Sequence, residues 1–103
     1  MAWITSGAVT DPPDNAVLLD SGPLAAGVFV LPLLLMSADF QRFVRLEWRN
    51  AANSANKQSH IFIVDGSRIF DLSGRSITVL ANERIRLVAL GEVEGNVQVT
   101  ALT

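Results

Sequence analysis

The chain has 103 residues, 50% of them hydrophobic and only 17% charged, with a formal net charge of −2. That length fits one domain, and the mild acidity excludes a molecule-wide field favouring nucleic acid or anionic lipid. Cysteine is absent, which excludes disulfides and thiolate metal sites and leaves packing and association to hold the fold.

Folding a chain of this size buries about 65% of its extended-chain area. A mean hydropathy of +0.35 is more apolar than so surface-rich a domain needs, and the excess points to buried contacts with other chains.

Residues 1–15 read as an extended N-terminal arm ahead of a β-domain over 16–103. The start lacks the basic patch and apolar run of a secretory leader and reads as mature sequence, while "DPPDN" disfavours helix. Trp3, Ile4 and Val9 need cover. Fifteen extended residues span about 50 Å, so the arm either reaches a neighbouring subunit or folds back on its own domain.

"AVLLD", Ala16 to Asp20, is a strand closed by the turn "SGPLAAG". Next comes "GVFVLPLLLM", Gly27 to Met36, without a charge or a hydrogen-bonding side chain. The uncharged window Ser21 to Ala38 touches the length of a membrane helix, but Gly22, Pro23, Gly27 and Pro32 interrupt it. Its solid apolar block makes roughly 14 Å of helix, about half a bilayer core. A long strand from Val28 to Met36, distorted at Pro32, is expected instead. Both its faces are apolar, with Phe29, Leu31, Leu33 and Leu35 opposing Val28, Val30, Leu34 and Met36.

"FVRLEWR" carries the clearest period of two, setting Val44, Leu46 and Trp48 against Arg45, Glu47 and Arg49. "NAANSAN" is a polar loop whose alanines allow a helical turn. In "SHIFIVDGSRIF", Asp65-Gly66 suits the positive φ angles of a type I′ hairpin joining two strands. "DLSGRS" turns the chain again, "ITVL" and "RIRLVAL" flank "ANE", and "GEVEGN" leads into a final paired strand, "VQVTALT". No stretch sustains a helical period. The expected fold is all-β: a two-sheet antiparallel β-sandwich, jelly-roll-like, of about eight strands with the N-terminal arm.

The chemistry of a site is sparse. His60 is the only histidine and has no metal-ligand cluster or G-x-S-x-G elbow beside it. Asp11, Asp14, Asp20 and Asp39 match no calcium-loop spacing, and no glycine-rich phosphate loop is present. No enzyme activity, cofactor or metal is expected. Arg42, Arg45 and Arg49 lie among Phe40, Phe43 and Trp48, a mixture suited to stacking on single strands. Alternation puts Trp48 opposite Arg45 and Arg49, so a solvated or interface face is the better reading and no nucleic-acid partner is expected.

In a two-layer fold, strands apolar on both sides turn one face to the core and the other to something else. Closed homo-oligomers commonly supply that cover. The body of the chain, "LLDSGPLAAG", "RLEWRNAANSAN" and "LANERIRLVALGEVEGNVQVTAL", resembles small β-sandwich virion proteins of tailed bacteriophages, of the capsid cement or decoration type. The resemblance covers about 16–103. It implies a homotrimer on the capsid surface that bridges neighbouring capsomers, with the major capsid protein or another virion protein as partner. The candidate interface residues are Trp3, Ile4, Val9, Phe29, Leu31, Leu33, Leu35, Arg42, Phe43, Arg45 and Arg49. The alternative is a binding module, such as a head-fibre, tail receptor-binding or carbohydrate-binding sandwich.

Overall fold

A computed structural model describes residues 3–92 and 94–102; of Trp3, Ile4 and Leu102 it describes the backbone. Among these residues the chain forms nine strands: β1 (Trp3–Thr5), β2 (Val9–Thr10), β3 (Ala16–Asp20), β4 (Gly27–Val30), β5 (Leu33–Arg49), β6 (Asn56–Asp71), β7 (Ser76–Val79), β8 (Arg84–Leu90) and β9 (Asn96–Leu102). Every pairing is antiparallel. Alternating apolar residues and the absence of any helical period make this an all-β chain, as expected from the sequence.

The organising element is β5. It pairs with β6 along one edge, while its other edge is divided: Leu33 to Ala38 pair with β9, and Phe43 to Arg49 pair with β8. β3 flanks β8, and β1 and β2 flank β9, completing a seven-stranded sheet. Between the two halves of β5, Ala38 pairs with Gly66 and Arg42 with Val64, so residues 39–41 oppose Asp65 alone. Such an insertion bends a strand and increases its twist. The sheet therefore coils round one core as a nearly closed, barrel-like surface.

This bend corrects the expected hairpin at Asp65-Gly66. Both residues lie inside β6, and Gly66 uses its φ of 68° to complete the bulge rather than a turn. The pairing with β5 continues on both sides, so the strand does not reverse there. The reversal is made by the "NAANSA" loop, where Asn50 Oδ1 accepts the Ser54 N–H at 2.9 Å and the Asn50 N–H donates to Ala55 O at 3.0 Å. Side-chain acceptance of this kind is what favours asparagine in turns.

The expected strand Val28–Met36 is two strands. Leu31 and Pro32 separate β4 from β5, and β4 pairs with β7 in a small sheet of its own. Pro32 has no N–H to give a ladder, but its carbonyl accepts the Leu72 N–H at 2.8 Å and extends the pairing of β5 with β6. The N-terminal segment folds back: β1 and β2 pair with β9 of the same chain.

The core lies inside the coil. Leu34, Met36, Ala38 and Val44 of β5 meet Phe62 and Val64 of β6, Leu87 and Ala89 of β8, Val97, Val99 and Ala101 of β9, and Leu18 of β3. Spacing by two within each strand sends these side chains inward. Among the described residues, no helix is long and apolar enough to cross a membrane.

Candidate assembly surface

Where β6, β5, β8 and β3 lie side by side, their outward residues form rows. Ile63, Phe43 and Leu90 align in one row, Ile61, Arg45, Val88 and Val17 in the next, and Ser59, Glu47, Arg86 and Asp20 in a third. The first two rows are largely apolar, yet Phe43 is 47% exposed, Ile61 51%, Ile63 50% and Val17 46%. Isolated exposed apolar side chains such as Val17, set apart by Arg45 and the buried Val88, are ordinary, but the adjoining Phe43, Ile61 and Ile63 form a contiguous group on one sheet face, which marks a contact surface.

The third row is its opposite, charged and closed. The Glu47 carboxylate is fully buried although it sits on the outward side of the sheet. Arg86 donates to its Oε1 from Nε at 2.9 Å and Nη2 at 2.7 Å, Arg45 Nε donates to Oε2 at 2.7 Å, and Asn56 Nδ2 donates to Oε2 at 3.1 Å. Burial pushes this carboxyl up, but the hydrogen bonds from Arg86, Asn56 and Arg45 outweigh it and hold the group below its ordinary range. Arg45 is thereby directed across β8 toward the start of β3, with its Nη2 3.3 Å from Asn15 Oδ1. The guanidinium forks are spent internally, and the neighbouring apolar rows are framed by a rigid polar border.

The expected interface residues are distributed over several environments. Phe43 and Arg45 lie on the outward face just described. Leu33 and Leu35 lie on the outward side of the other half of β5, beside the exposed Ile69. Phe29 and Leu31 turn inward and line a cavity, and Val9 packs against the core. Arg42 is 1% exposed and donates through Nη2 to the carbonyls of Pro12 and Gly91, so it anchors the "DPPDN" segment. Arg49 holds the 50–55 loop through Asn53 O at 2.7 Å and Asn53 Oδ1 at 2.9 Å. The side chains of Trp3 and Ile4 lie outside what the structure describes.

Ile61, Ile63 and Val17 are the surface residues missing from the sequence-based set. The signal for the isoleucines was their alternation with Phe62 and Val64. The supposed turn at Asp65-Gly66 hid the continuity of β6 and the neighbours these residues acquire.

A second feature lies on the inner side of the same strands. A cavity of about 220 Å³ separates the sheet of β4 and β7 from the main sheet, walled by Phe29, Leu46, Trp48, Phe62, Ile77 and Ile85. Beside it, Trp48 Nε1 donates to Glu83 Oε1 at 3.1 Å, Lys57 Nζ donates to Glu83 Oε2 at 2.7 Å, and Lys57 sits 4.3 Å from the Trp48 ring centre. The Lys57 and Leu80 donors hold the Glu83 carboxyl below its ordinary range. His60 packs edge-on to Phe62, their ring centres 4.7 Å apart.

Among the described residues, no group of three or more His, Cys, Asp or Glu side chains is placed to hold a metal ion. The arrangement offers apolar contact and fixed charge. No protein-family model, curated protein or solved structure matches the chain.

Proposed function

We propose that the chain is a structural assembly module of the capsid cement or decoration kind, self-associating and bridging neighbouring subunits of a virion lattice through an apolar sheet face. A two-layer, jelly-roll-like packing of the bent sheet belongs to the same reading. The observation that carries it is the half-exposed group Phe43, Ile61 and Ile63, set beside a carboxylate already satisfied by two arginines. Apolar area closed over such a face is worth about 25 cal/mol per Å². A contact that is weak once becomes strong when a lattice repeats it.

The test is occupancy on purified particles, with circular dichroism to confirm the fold. Phe43→Asp on the exposed face is expected to lower copy number per particle and the particle's heat resistance. Unchanged occupancy, or absence of the protein from particles altogether, overturns the proposal.

The cavity supports a second reading, a binding module, because its aromatic and aliphatic walls suit a small apolar or ring-bearing ligand. Saturable ligand binding that is abolished by Phe29→Trp, with no association with particles, favours that alternative.

A further inference from the structure

We infer that the free edge of β6 pairs antiparallel with the β6 edge of a second copy, making a two-fold dimer whose sheets run together. This rests on the self-association proposed above and names the segment that performs it; the identity of the lattice is a separate matter.

The first observation is an unfilled ladder. β6 is 16 residues long and pairs only with β5, so its other edge runs unpartnered among the described residues. Among the described residues, no backbone group from Lys57 to Phe70 makes a backbone–backbone hydrogen bond outside the strand ladders. Every second residue along that edge directs an N–H and a C=O away from β5. An extended strand is the one partner that answers such a row, and long apolar edges are normally covered or guarded.

The usual guards are missing where they matter. Lysine commonly protects an edge, but Lys57 is drawn onto Glu83 and the Trp48 ring. Proline is absent from β6, and its two register irregularities, at Lys57 and at Asp65 opposite the β5 insertion, flank the exposed isoleucines rather than interrupt them.

Self-complementarity selects a second copy and a register. Antiparallel pairing centred on Phe62 sets Ile61 opposite Ile63 of the second copy, and Ile63 opposite its Ile61. Asp65 then faces Ser59, so no like charges meet within Ser59 to Asp65. Sliding the register by two residues either way leaves one isoleucine pair and sets the remaining isoleucine of each chain against Ser59 or Asp65. Paired β-branched residues are favourable across strands, and an isologous contact of this kind closes at two copies. The dimer also joins the two outward faces, placing Ile61, Ile63 and Phe43 of both chains on one continuous surface.

Seven paired residues cover less than the about 800 Å² per partner of a standard interface, so the dimer is concentration-dependent. Light scattering on the full chain is expected to show a monomer–dimer equilibrium, shifted at least about tenfold toward monomer by Ile61→Lys or Ile63→Lys. Because the chain has no cysteine, an equimolar mixture of Ile61→Cys and Ile63→Cys chains reports the register. Oxidation or a short bismaleimide should yield the mixed 61–63 dimer in preference to either symmetric one.

A chain that stays monomeric at about 100 µM, well above the range expected for a small specific interface, overturns the inference. So do a trimer, a dimer unaffected by both lysine variants, and symmetric cross-links without the mixed product. A chain that dimerises through β6 yet never occupies particles keeps this inference and overturns the capsid reading. A chain that occupies particles but is monomeric in solution overturns this inference and the self-association beneath it, and keeps the bridging of a virion lattice.

Discussion

Glu47 and Arg86 face each other across β5 and β8, and two guanidinium nitrogens of Arg86 converge on one carboxylate oxygen, Oε1, at 2.7 and 2.9 Å. Arg45 takes the other oxygen from the same strand. One fully buried charge thus ties the sheet's outward surface together. Removing a single partner from such a group costs more than the group contributes, because the remaining charges lose their compensation. Glu47→Ala is expected to destabilise the fold by about 3 kcal/mol. Glu47→Gln keeps the shape and loses less, and the urea midpoints of the three proteins rank them.

The same carboxylate sets the acid limit of the fold. Glu47 and Glu83 are both held below their ordinary value of 4.5, so over the pH range between folded and unfolded values the unfolded chain binds more protons. Their contribution is complete above about pH 4.5, and it is lost as pH falls through the folded values. The thermal midpoint should therefore fall on acidification below that point. In Glu47→Gln the fall should be shallower, and thermal melts from pH 6 to 3 check the difference.

Gly95 is fixed by both conformation and space. Its φ is 104°, and a Cβ there would stand 2.8 Å from Asp39 Cβ and 3.1 Å from Phe40 Cδ2. Its N–H donates to Asp11 Oδ1 at 2.7 Å, and its carbonyl accepts the Asp11 N–H at 3.0 Å, so Gly95 is not free to retreat. Gly95→Ala is expected to cost about 2 kcal/mol. Gly74→Ala, also at positive φ but with open space around it, should cost less; paired denaturant titrations separate clash from backbone strain.

Arg42 does for the N-terminal segment what Glu47 does for the sheet face. Its Nη2 donates to Pro12 O and Gly91 O, joining two connections that are far apart in sequence. Arg42→Ala should cost about 3 kcal/mol, because the buried Pro12 carbonyl and the part-buried Gly91 carbonyl lose a charged donor. Arg42→Lys should recover only part of this, since an ammonium cannot reproduce the planar fork. Hydrogen exchange at the Asn15 and Ala16 amides, bonded to Ala89 and Pro13 carbonyls, is expected to quicken in both variants.

Short-range pattern was legible and long-range partnership was not. Ala16–Asp20 is a strand with the boundaries read from the sequence, and Val44, Leu46 and Trp48 do lie opposite Arg45, Glu47 and Arg49. Part of the candidate surface was visible too, in Phe43 and Arg45. Asp65-Gly66 shows where local reading stopped: glycine's access to positive φ serves a hairpin and a bulge equally well. Only the pairing of β6 with all of β5 chose between them.

By itself, then, the sequence determined an all-β chain, its alternating faces and most of its turns, because periodicity and turn chemistry act over a few residues. Tertiary structure alone decided that β5 is shared between β8 and β9, that the N-terminal segment lies on β9, and that Arg42 and Glu47 are buried. It decided these because a strand's hydrogen-bonding edges are the same for every sequence. Their partners follow from how the coiled sheet closes over its core, and that closure leaves the outer edge of β6 open.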